Sequence, residues 1–209
     1  MKKFLVLCII TGIVIFYFVK IDTPKLIAFM LSPLDHTFNG EIYTKDYQYY
    51  GDFKYWTPHG LGKKIYDKEY LNGHIVSYEG WFHFNEYKGK GILILWDGTR
   101  YVGEWENDVT GNGVITFPGG GKTYKGQWSE GGLNGFGTMI NNHNKDTDGV
   151  YVGEWKNNMR HGQGKYTWHD GEIYEGEYAN DSENGYGTLT TPNGQKFTGQ
   201  FKNGVFVGN

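Results

Sequence analysis

Six Gly-x-Gly triplets recur along the chain, and glycine loops of this kind can cradle a phosphate. The triplets begin at residues 60, 89, 111, 135, 162 and 185. A dinucleotide loop needs Gly-x-Gly-x-x-Gly between a strand and a helix, and a P-loop needs Gly-Lys-Ser/Thr. Neither full motif occurs: Gly121-Lys122-Thr123 is present, but Thr116 stands where the complete P-loop motif needs its first glycine. Six copies in one phase therefore predict backbone packing, and we expect no catalytic residue and no cofactor-binding residue.

The remaining polar residues also fail to form a recognisable reactive set. His59 and His161 both stand just before a Gly-x-Gly and are interpreted as repeat positions. His169, Asp170 and Glu172 surround a turn and lack a convergent ligand set, so no metal site is expected. The single cysteine, Cys8, lies in an N-terminal apolar run, which excludes an intrachain disulfide. A row of acids and amides is predicted to be a solvated outer ladder and not catalytic carboxylates: Glu104, Gln127, Glu154, Glu177 and Gln200.

The elements that position these residues follow from an internal repeat. The pattern aromatic-x-Gly-x-aromatic recurs mostly every 23 residues, and Gly-x-Gly usually follows ten or eleven residues after its first aromatic. Two steps are longer because of insertions around 66–74 and 141–149. Two short strands and two turns in 23 residues predict one β-hairpin per unit. The units begin at Tyr49, Tyr78, Tyr101, Tyr124, Tyr151, Tyr174 and Phe197.

Alternation along each strand assigns the faces of the hairpins. Rings and glycines share one face, because a large ring can lie over the bare backbone of a glycine. The opposite face is largely polar. Two rings recover about 1.5–3 kcal/mol each only if neighbouring units cover them, so one unit alone should not fold. The residues that define the third and fifth units are Tyr101, Gly103, Trp105, Gly111, Gly113, Tyr151, Gly153, Trp155, Gly162 and Gly164.

This combination of motifs resembles the MORN (membrane occupation and recognition nexus) repeat family over residues 47–209. The resemblance implies an all-β fold, an elongated single-layer antiparallel meander of about seven hairpins twisted into a groove. The segment 39–47, "NGEIYTKDY", echoes a unit but has Lys45 in place of the glycine, and it is predicted to be a degenerate capping strand.

The first twenty residues predict a membrane segment. Phe4–Val19 is almost wholly apolar and follows Lys2 and Lys3. The run is slightly shorter than the ~17–25 residues usual for a spanning helix, and no small-x-small cleavage site follows it. We expect an uncleaved signal-anchor helix over 1–20, a linker over 21–38 and the repeat array over 39–209. The positive-inside rule places the array on the extracytoplasmic side; the alternative is secretion after cleavage.

Charge limits the partners of the array. Residues 47–209 contain 15 Lys and Arg against 19 Asp and Glu, and residues 170–209 contain six acids and two bases. Such a surface disfavours anionic lipid head groups and nucleic acid. Membrane attachment is therefore assigned to residues 4–19.

One unit departs from the pattern on its outer face. The second unit has Trp81, Ile92, Ile94 and Trp96 there, an apolar patch that should not face water. It is interpreted either as covered by the chain itself, through Leu26–Leu31 or the 63–77 insertion, or as a partner or dimer surface.

The sequence thus predicts a membrane-anchored, non-catalytic scaffold with an unknown protein partner and a possible homodimer through an array end. Similarity to the regulatory parts of phosphatidylinositol-phosphate kinases makes an accessory role the first alternative. A secreted aromatic-cage ligand-binding repeat protein is the second, although such repeats cluster their rings and this chain spaces them through glycine.

Overall fold

The computed structural model describes residues 3–10, 13–20, 37–67, 74–142 and 148–208, and for the first two stretches the backbone alone. The described residues form strands and the turns between them, which confirms the predicted all-β class. The chain divides into two compact units, Met1–Asp108 and Val109–Asn209. Each unit is an antiparallel β-meander.

In the first unit every strand pairs with the next one along the chain. The strands are β1 (Lys3–Ile10), β2 (Ile13–Lys20), β3 (Thr37–Tyr43), β4 (Tyr47–Lys54), β5 (Thr57–Tyr66), β6 (Ile75–His83), β7 (Glu86–Leu95) and β8 (Arg100–Asn107). The segment predicted to cap the array is strand β3, which begins two residues earlier than expected and pairs with β4 over its whole length.

The second unit follows the same rule. Its strands are β9 (Thr110–Thr116), β10 (Lys122–Ser129), β11 (Gly132–Asn141), β12 (Gly149–Lys156), β13 (Met159–Trp168), β14 (Ile173–Ala179), β15 (Ser182–Thr190), β16 (Lys196–Lys202) and β17 (Val205–Gly208). The two predicted insertions lie partly outside the described residues, which leave out 68–73 and 143–147.

The helix predicted for residues 1–20 is not confirmed. The backbone there is extended, and β1 pairs with β2 from Lys3 opposite Lys20 to Ile10 opposite Ile13. The run is rich in Val, Ile and Phe, which favour strands, and its two halves are separated by the turn-forming dipeptide Thr-Gly. In the described part of the chain, no helix is long and apolar enough to cross a bilayer. The segment Leu26–Leu31 lies outside the described residues.

A continuous row of paired glycines crosses the strands of each unit. In the first unit the row runs through Gly40, Gly51, Gly62, Gly80, Gly91 and Gly103. In the second it runs through Gly113, Gly126, Gly137, Gly153, Gly164, Gly176, Gly187 and Gly199. The motif glycines are therefore opposite one another across strands, and their lack of a side chain leaves room for the motif tyrosine rings.

Two-residue turns close the hairpins. Asn157 and Asn158 have φ of 52° and 67°, as a type I′ turn requires at both central positions. Tyr55 and Trp56 adopt the same left-handed backbone, with φ of 50° and 65°. Aromatic residues are uncommon in this region, so the first hairpin turn is locally strained.

The predicted assignment of faces holds for the rings of the fifth unit, but a Cβ on Gly162 would meet the Glu154 carboxylate on the outer face, so this glycine does not lie on the ring-bearing face as predicted. Tyr151 and Trp155 are buried, whereas Val152 and Glu154 on the same strand are exposed. The buried core consists mainly of the motif aromatics and the residues packed beside them, and six of its largest members are tyrosines: Tyr49, Tyr78, Tyr87, Tyr124, Tyr151 and Tyr174.

Candidate functional site

The ring of the first motif tyrosine lies over the glycine row, and its hydroxyl is hydrogen-bonded to the backbone three residues later. We call this arrangement the clasp. The Tyr151 hydroxyl donates a hydrogen bond to the backbone carbonyl oxygen of Glu154 at 2.9 Å. A methyl group on Gly153 would lie 2.5 Å from the Tyr151 hydroxyl and 2.6 Å from the Gly164 Cα atom, so neither glycine can carry a side chain without displacing its neighbours. These contacts give the motif a packing role in the sheet.

The same clasp occurs in both units of the chain. The motif tyrosine donates to the carbonyl three residues later at 2.7–3.1 Å for Tyr49, Tyr78, Tyr124 and Tyr174. Burial raises the pKa of these phenols, to about 12 for Tyr124 and Tyr174. The hydroxyls stay protonated at physiological pH and act as hydrogen-bond donors to the backbone.

The predicted outer ladder has a structural role that the sequence analysis missed. Glu154 Oε1 accepts the backbone N–H of Gln163 at 2.8 Å, and Gln163 follows Gly162, whose φ is +61°. The register shifts beside Glu154, and the side-chain oxygen satisfies the N–H that this bulge leaves outside the ladder. Gln127 and Glu177 accept equivalent bonds at 3.0 Å. Alternation along the strands correctly predicted that these side chains lie on the outer face. It does not predict the bulge or the hydrogen bond made there.

Turn residues tie each hairpin to the one before it. Asn158 Oδ1 accepts the N–H of Leu133 at 2.8 Å, and Asp181 Oδ1 accepts the N–H of Arg160 at 2.8 Å. Asp108 accepts the N–H of Tyr87 at 2.6 Å in the first unit. These bonds join residues 21–25 positions apart and hold neighbouring repeats in register. The recurrence of Asn and Asp in the hairpin turns is the sequence feature that could have predicted these bonds.

Two cations occupy aromatic cages on the ring-bearing face. Lys64 is 4% exposed and lies 4.4 Å from the ring centre of Tyr47, 5.6 Å from Tyr66 and 5.7 Å from Phe82. Its ammonium donates to Asn85 Oδ1 at 2.8 Å. Burial lowers the pKa of Lys64 to about 8, although Asp108 acts in the opposite direction.

In the second unit, Arg160 lies over three rings, 5.1–5.8 Å from the centres of Tyr151, Tyr166 and Tyr178. Its guanidinium also donates to Asp181. The protein's own side chains therefore fill both of these cages.

The histidines and turn acids for which the sequence predicted no metal site are dispersed along the chain. The His59 ring lies at an angle to His83 and edge-on to Phe84, with ring centres 4.9–5.0 Å apart. His169 and Asp170 are exposed, and Asp170 accepts the N–H of Glu172 within the turn. In the described part of the chain, no group of three or more His, Cys, Asp or Glu side chains is arranged to hold a metal ion.

The apolar residues predicted on the outer face of the second hairpin are partly exposed. Trp81 is 50% exposed and Trp96 in the following turn is 43% exposed, while Ile92 and Ile94 are half-buried. Trp81 stands in the motif position that Asp52 or an amide or acid occupies in every other unit. Trp81 has no side-chain oxygen to accept the backbone N–H at the bulge. This unit therefore has an exposed ring where the other units have a hydrogen-bond acceptor.

The structure extends this surface beyond the predicted residues. Leu61 lies directly opposite Trp81 and is 54% exposed, and Ile65 on the same strand is 37% exposed. Val102 lies opposite Ile92. We call the set the outer patch: Leu61, Ile65, Trp81, Ile92, Ile94 and Val102. Leu61 is the middle residue of a Gly-x-Gly. Alternation along the strand assigns this position to the outer face, so the sequence alone could have predicted that Leu61 belongs to this surface. Phe136 and Tyr186 occupy that slot in the second unit and are 58% and 54% exposed.

The fold and these contacts define a class of protein, a β-hairpin repeat protein whose motif residues build the sheet. The chain belongs to the MORN repeat proteins: the model of the MORN repeat matches residues 101–122, 124–142, 151–173, 174–196 and 197–209. Tyr49 and Tyr78, which precede these matches, make the same clasp, so the repeat geometry extends into the first unit. MORN repeats are in general a structural module for protein or membrane interaction. No curated protein matches the chain.

Proposed function

We propose that the protein is a non-catalytic scaffold that binds another protein and is held at a membrane by residues 4–19. The observation that carries the proposal is the exposure of large apolar side chains on the outer face, chiefly Leu61, Trp81 and Phe136. The motif tyrosines and the outer acids make hydrogen bonds within the sheet, so they are committed to the fold. The exposed apolar residues make a surface that favours a protein partner.

Membrane attachment rests on the sequence. Residues 4–19 are almost wholly apolar and follow Lys2 and Lys3, whereas the array carries excess acid. The positive residues before the run favour a cytoplasmic N-terminus and an array on the other side of the membrane. Secretion after cleavage is the competing location.

Fractionation of cells that express the full chain tests the attachment. The full-length protein should sediment with membranes and resist extraction by salt, whereas a variant lacking residues 1–20 should stay in the soluble fraction. A full-length protein that stays soluble would overturn the membrane proposal.

Affinity capture tests the scaffold role. The bait is the full chain extracted from native membranes, and the matched control bait carries Trp81→Glu and Phe136→Glu. We expect a partner that the wild-type bait enriches and the control bait loses. Equal recovery with both baits would contradict binding through the outer face.

The two alternative functions gain less support. An accessory role to a lipid kinase is supported only by the similarity of the repeats to the regulatory parts of such kinases. An aromatic-cage ligand binder would need open cages, and the two cages described above hold Lys64 and Arg160.

A further inference from the structure

The hairpin turn between β14 and β15 carries the acceptor motif for N-linked glycans. Asn180, Asp181 and Ser182 form Asn-x-Ser with a residue other than proline in the middle, and no other asparagine of the chain is followed two residues later by Ser or Thr. The motif marks a surface loop of a protein that enters a secretory compartment. Such short motifs also arise by chance, so the structural setting of Asn180 determines whether the motif can be used.

The turn presents the Asn180 side chain to solvent. Asn180 and Asp181 are its two central residues, with φ of 50° and 68°, as a type I′ turn requires. The Asp181 side chain points back to the preceding hairpin, where Oδ1 accepts the N–H of Arg160 at 2.8 Å. Asn180 is exposed, and its side chain makes no hydrogen bond to any residue that the structure describes. The amide nitrogen that would carry a glycan is therefore accessible.

The first central position of these turns accepts large side chains. The residues that occupy it in four other hairpins are all exposed: Tyr55, Phe84, Glu130 and Asn157. Tyr55 is 53% exposed and Phe84 is 47% exposed. A side chain at this position points away from the sheet whatever its size, so a glycan on Asn180 can extend from the tip of its hairpin without displacing the strands beside it.

The third residue of the motif lies within a strand. Ser182 is half-buried in β15 and pairs with Ala179. A transferase must reach this hydroxyl as well as the Asn180 amide, so we expect transfer to the chain before β15 pairs with β14. After folding, the glycan stays on the turn and the serine is enclosed in the hairpin.

We propose that Asn180 is an N-glycosylation site. The Asn180 side-chain nitrogen forms a bond to the anomeric carbon of an oligosaccharide carried on a polyprenyl diphosphate. The bond from that carbon to the diphosphate oxygen breaks, the lipid diphosphate leaves, and the amide releases one proton. The inference rests on the proposed extracytoplasmic location of the array, because this modification belongs to chains that enter a secretory compartment.

Expression of the full-length chain in cultured cells whose secretory pathway attaches N-linked glycans tests the proposal. The wild-type protein should contain a form of lower electrophoretic mobility that digestion with a peptide N-glycosidase converts to the faster form. Ser182→Ala should remove the slow form while keeping Asn180 in its turn, and Ser182→Thr should retain it. The matched control is Asn157→Gln, which changes the equivalent turn residue outside the motif and should leave the slow form unchanged.

Two results overturn the site. One is a wild-type chain without the slow form, and the other is a slow form that persists in Ser182→Ala. Asn180→Gln should agree with Ser182→Ala, although glutamine tolerates the left-handed backbone less well than asparagine. Agreement between these two variants shows that the loss comes from the motif and not from a change of fold.

A second acceptor separates this inference from the proposed location of the array. Met159 stands at the position of Ser182 in the preceding hairpin, so Met159→Thr creates the motif at Asn157. If this variant gains a glycan and the wild type carries none, the array is extracytoplasmic and only the assignment of Asn180 is wrong. If neither carries a glycan while both sediment with membranes, the extracytoplasmic location is wrong as well. Neither result changes the affinity capture, which tests the scaffold role.

Discussion

At the residue scale, the motif glycines are required because another backbone lies where a side chain would begin. A methyl group on Gly80 would lie 2.5 Å from the Gly91 Cα atom and 2.8 Å from the Tyr78 hydroxyl. Gly40 begins the same row, but a methyl group there would meet only ring carbons at 3.6 Å, which is ordinary contact. The loss of stability caused by replacing a motif glycine with alanine therefore depends on its position within the row.

We expect Gly80→Ala to lower the free energy of unfolding by about 1–3 kcal/mol, because the added methyl overpacks against a backbone that cannot move away. Gly40→Ala should be neutral or slightly stabilising, since alanine restricts the unfolded chain more than glycine does. Urea unfolding followed by tryptophan fluorescence measures both variants. Equal losses in the two would contradict the role of the glycine row.

Lys64 predicts a pH dependence whose sign follows from its lowered pKa. The pKa is about 8 in the folded chain and near 10.5 in the unfolded chain. Between these values the unfolded chain binds more protons, so the free energy of unfolding rises as the pH rises from 8 toward 10.5 and is level below 8. The full shift corresponds to about 3 kcal/mol.

Lys64→Met should remove this rise and should leave stability at pH 7 equal to or above that of the wild type, because an apolar side chain replaces a buried charge. Unfolding is measured from pH 7 to pH 9, because the tyrosines of the unfolded chain lose protons as the pH approaches their ordinary pKa of about 10, and this opposes the rise that Lys64 causes. The control is Lys63→Met, since Lys63 is exposed on the opposite face. An unchanged slope in Lys64→Met would assign the pH dependence to another group.

At the scale of the elements, two-residue turns and bulges convert a 23-residue pattern into hairpins of one register. Asn and Asp in the turns accept backbone N–H groups of the preceding hairpin, and the outer acids and amides satisfy the bulges. These bonds explain why neighbouring hairpins align without slipping, although their motifs are nearly identical. The turns Tyr55–Trp56 and Glu130–Gly131 contain neither Asn nor Asp, and Asn85 in the turn Phe84–Asn85 accepts a hydrogen bond from the Lys64 ammonium.

Tyr55→Asn should raise the free energy of unfolding by about 0.5–1 kcal/mol, because asparagine tolerates the left-handed backbone that tyrosine resists. The reciprocal variant Asn157→Tyr should lose a similar amount in the second unit. Thermal unfolding by circular dichroism measures both. Destabilisation by Tyr55→Asn would mean that contacts of the Tyr55 ring outweigh the strain.

At the scale of the whole molecule, charge and hydropathy are unevenly distributed along the chain. The basic and apolar residues at the start contrast with the acidic stretch 170–209. The family match supports an interaction module, and the distribution of charge argues against anionic lipid head groups as ligands of the repeats.

A variant lacking residues 1–20 should therefore remain unbound when it is mixed with vesicles that contain phosphatidylserine at physiological salt. Vesicle flotation measures this, and the control is a variant in which Glu172, Glu175 and Glu177 are lysines, which should bind more strongly. Flotation of the truncated wild-type array would contradict the assignment of membrane contact to residues 4–19.

The sequence by itself determined the hairpin repeat, the family and the face on which each ring lies, because all three follow from strict periodicity along the chain. Periodicity carries no information about which atoms meet across strands. Tertiary structure decided that the outer acids cap bulges, that Lys64 and Arg160 fill cages of rings, and that Leu61 adjoins Trp81. It also placed strands where the apolar run 4–19 predicted a helix, since length and hydropathy alone do not separate a helix from two paired strands.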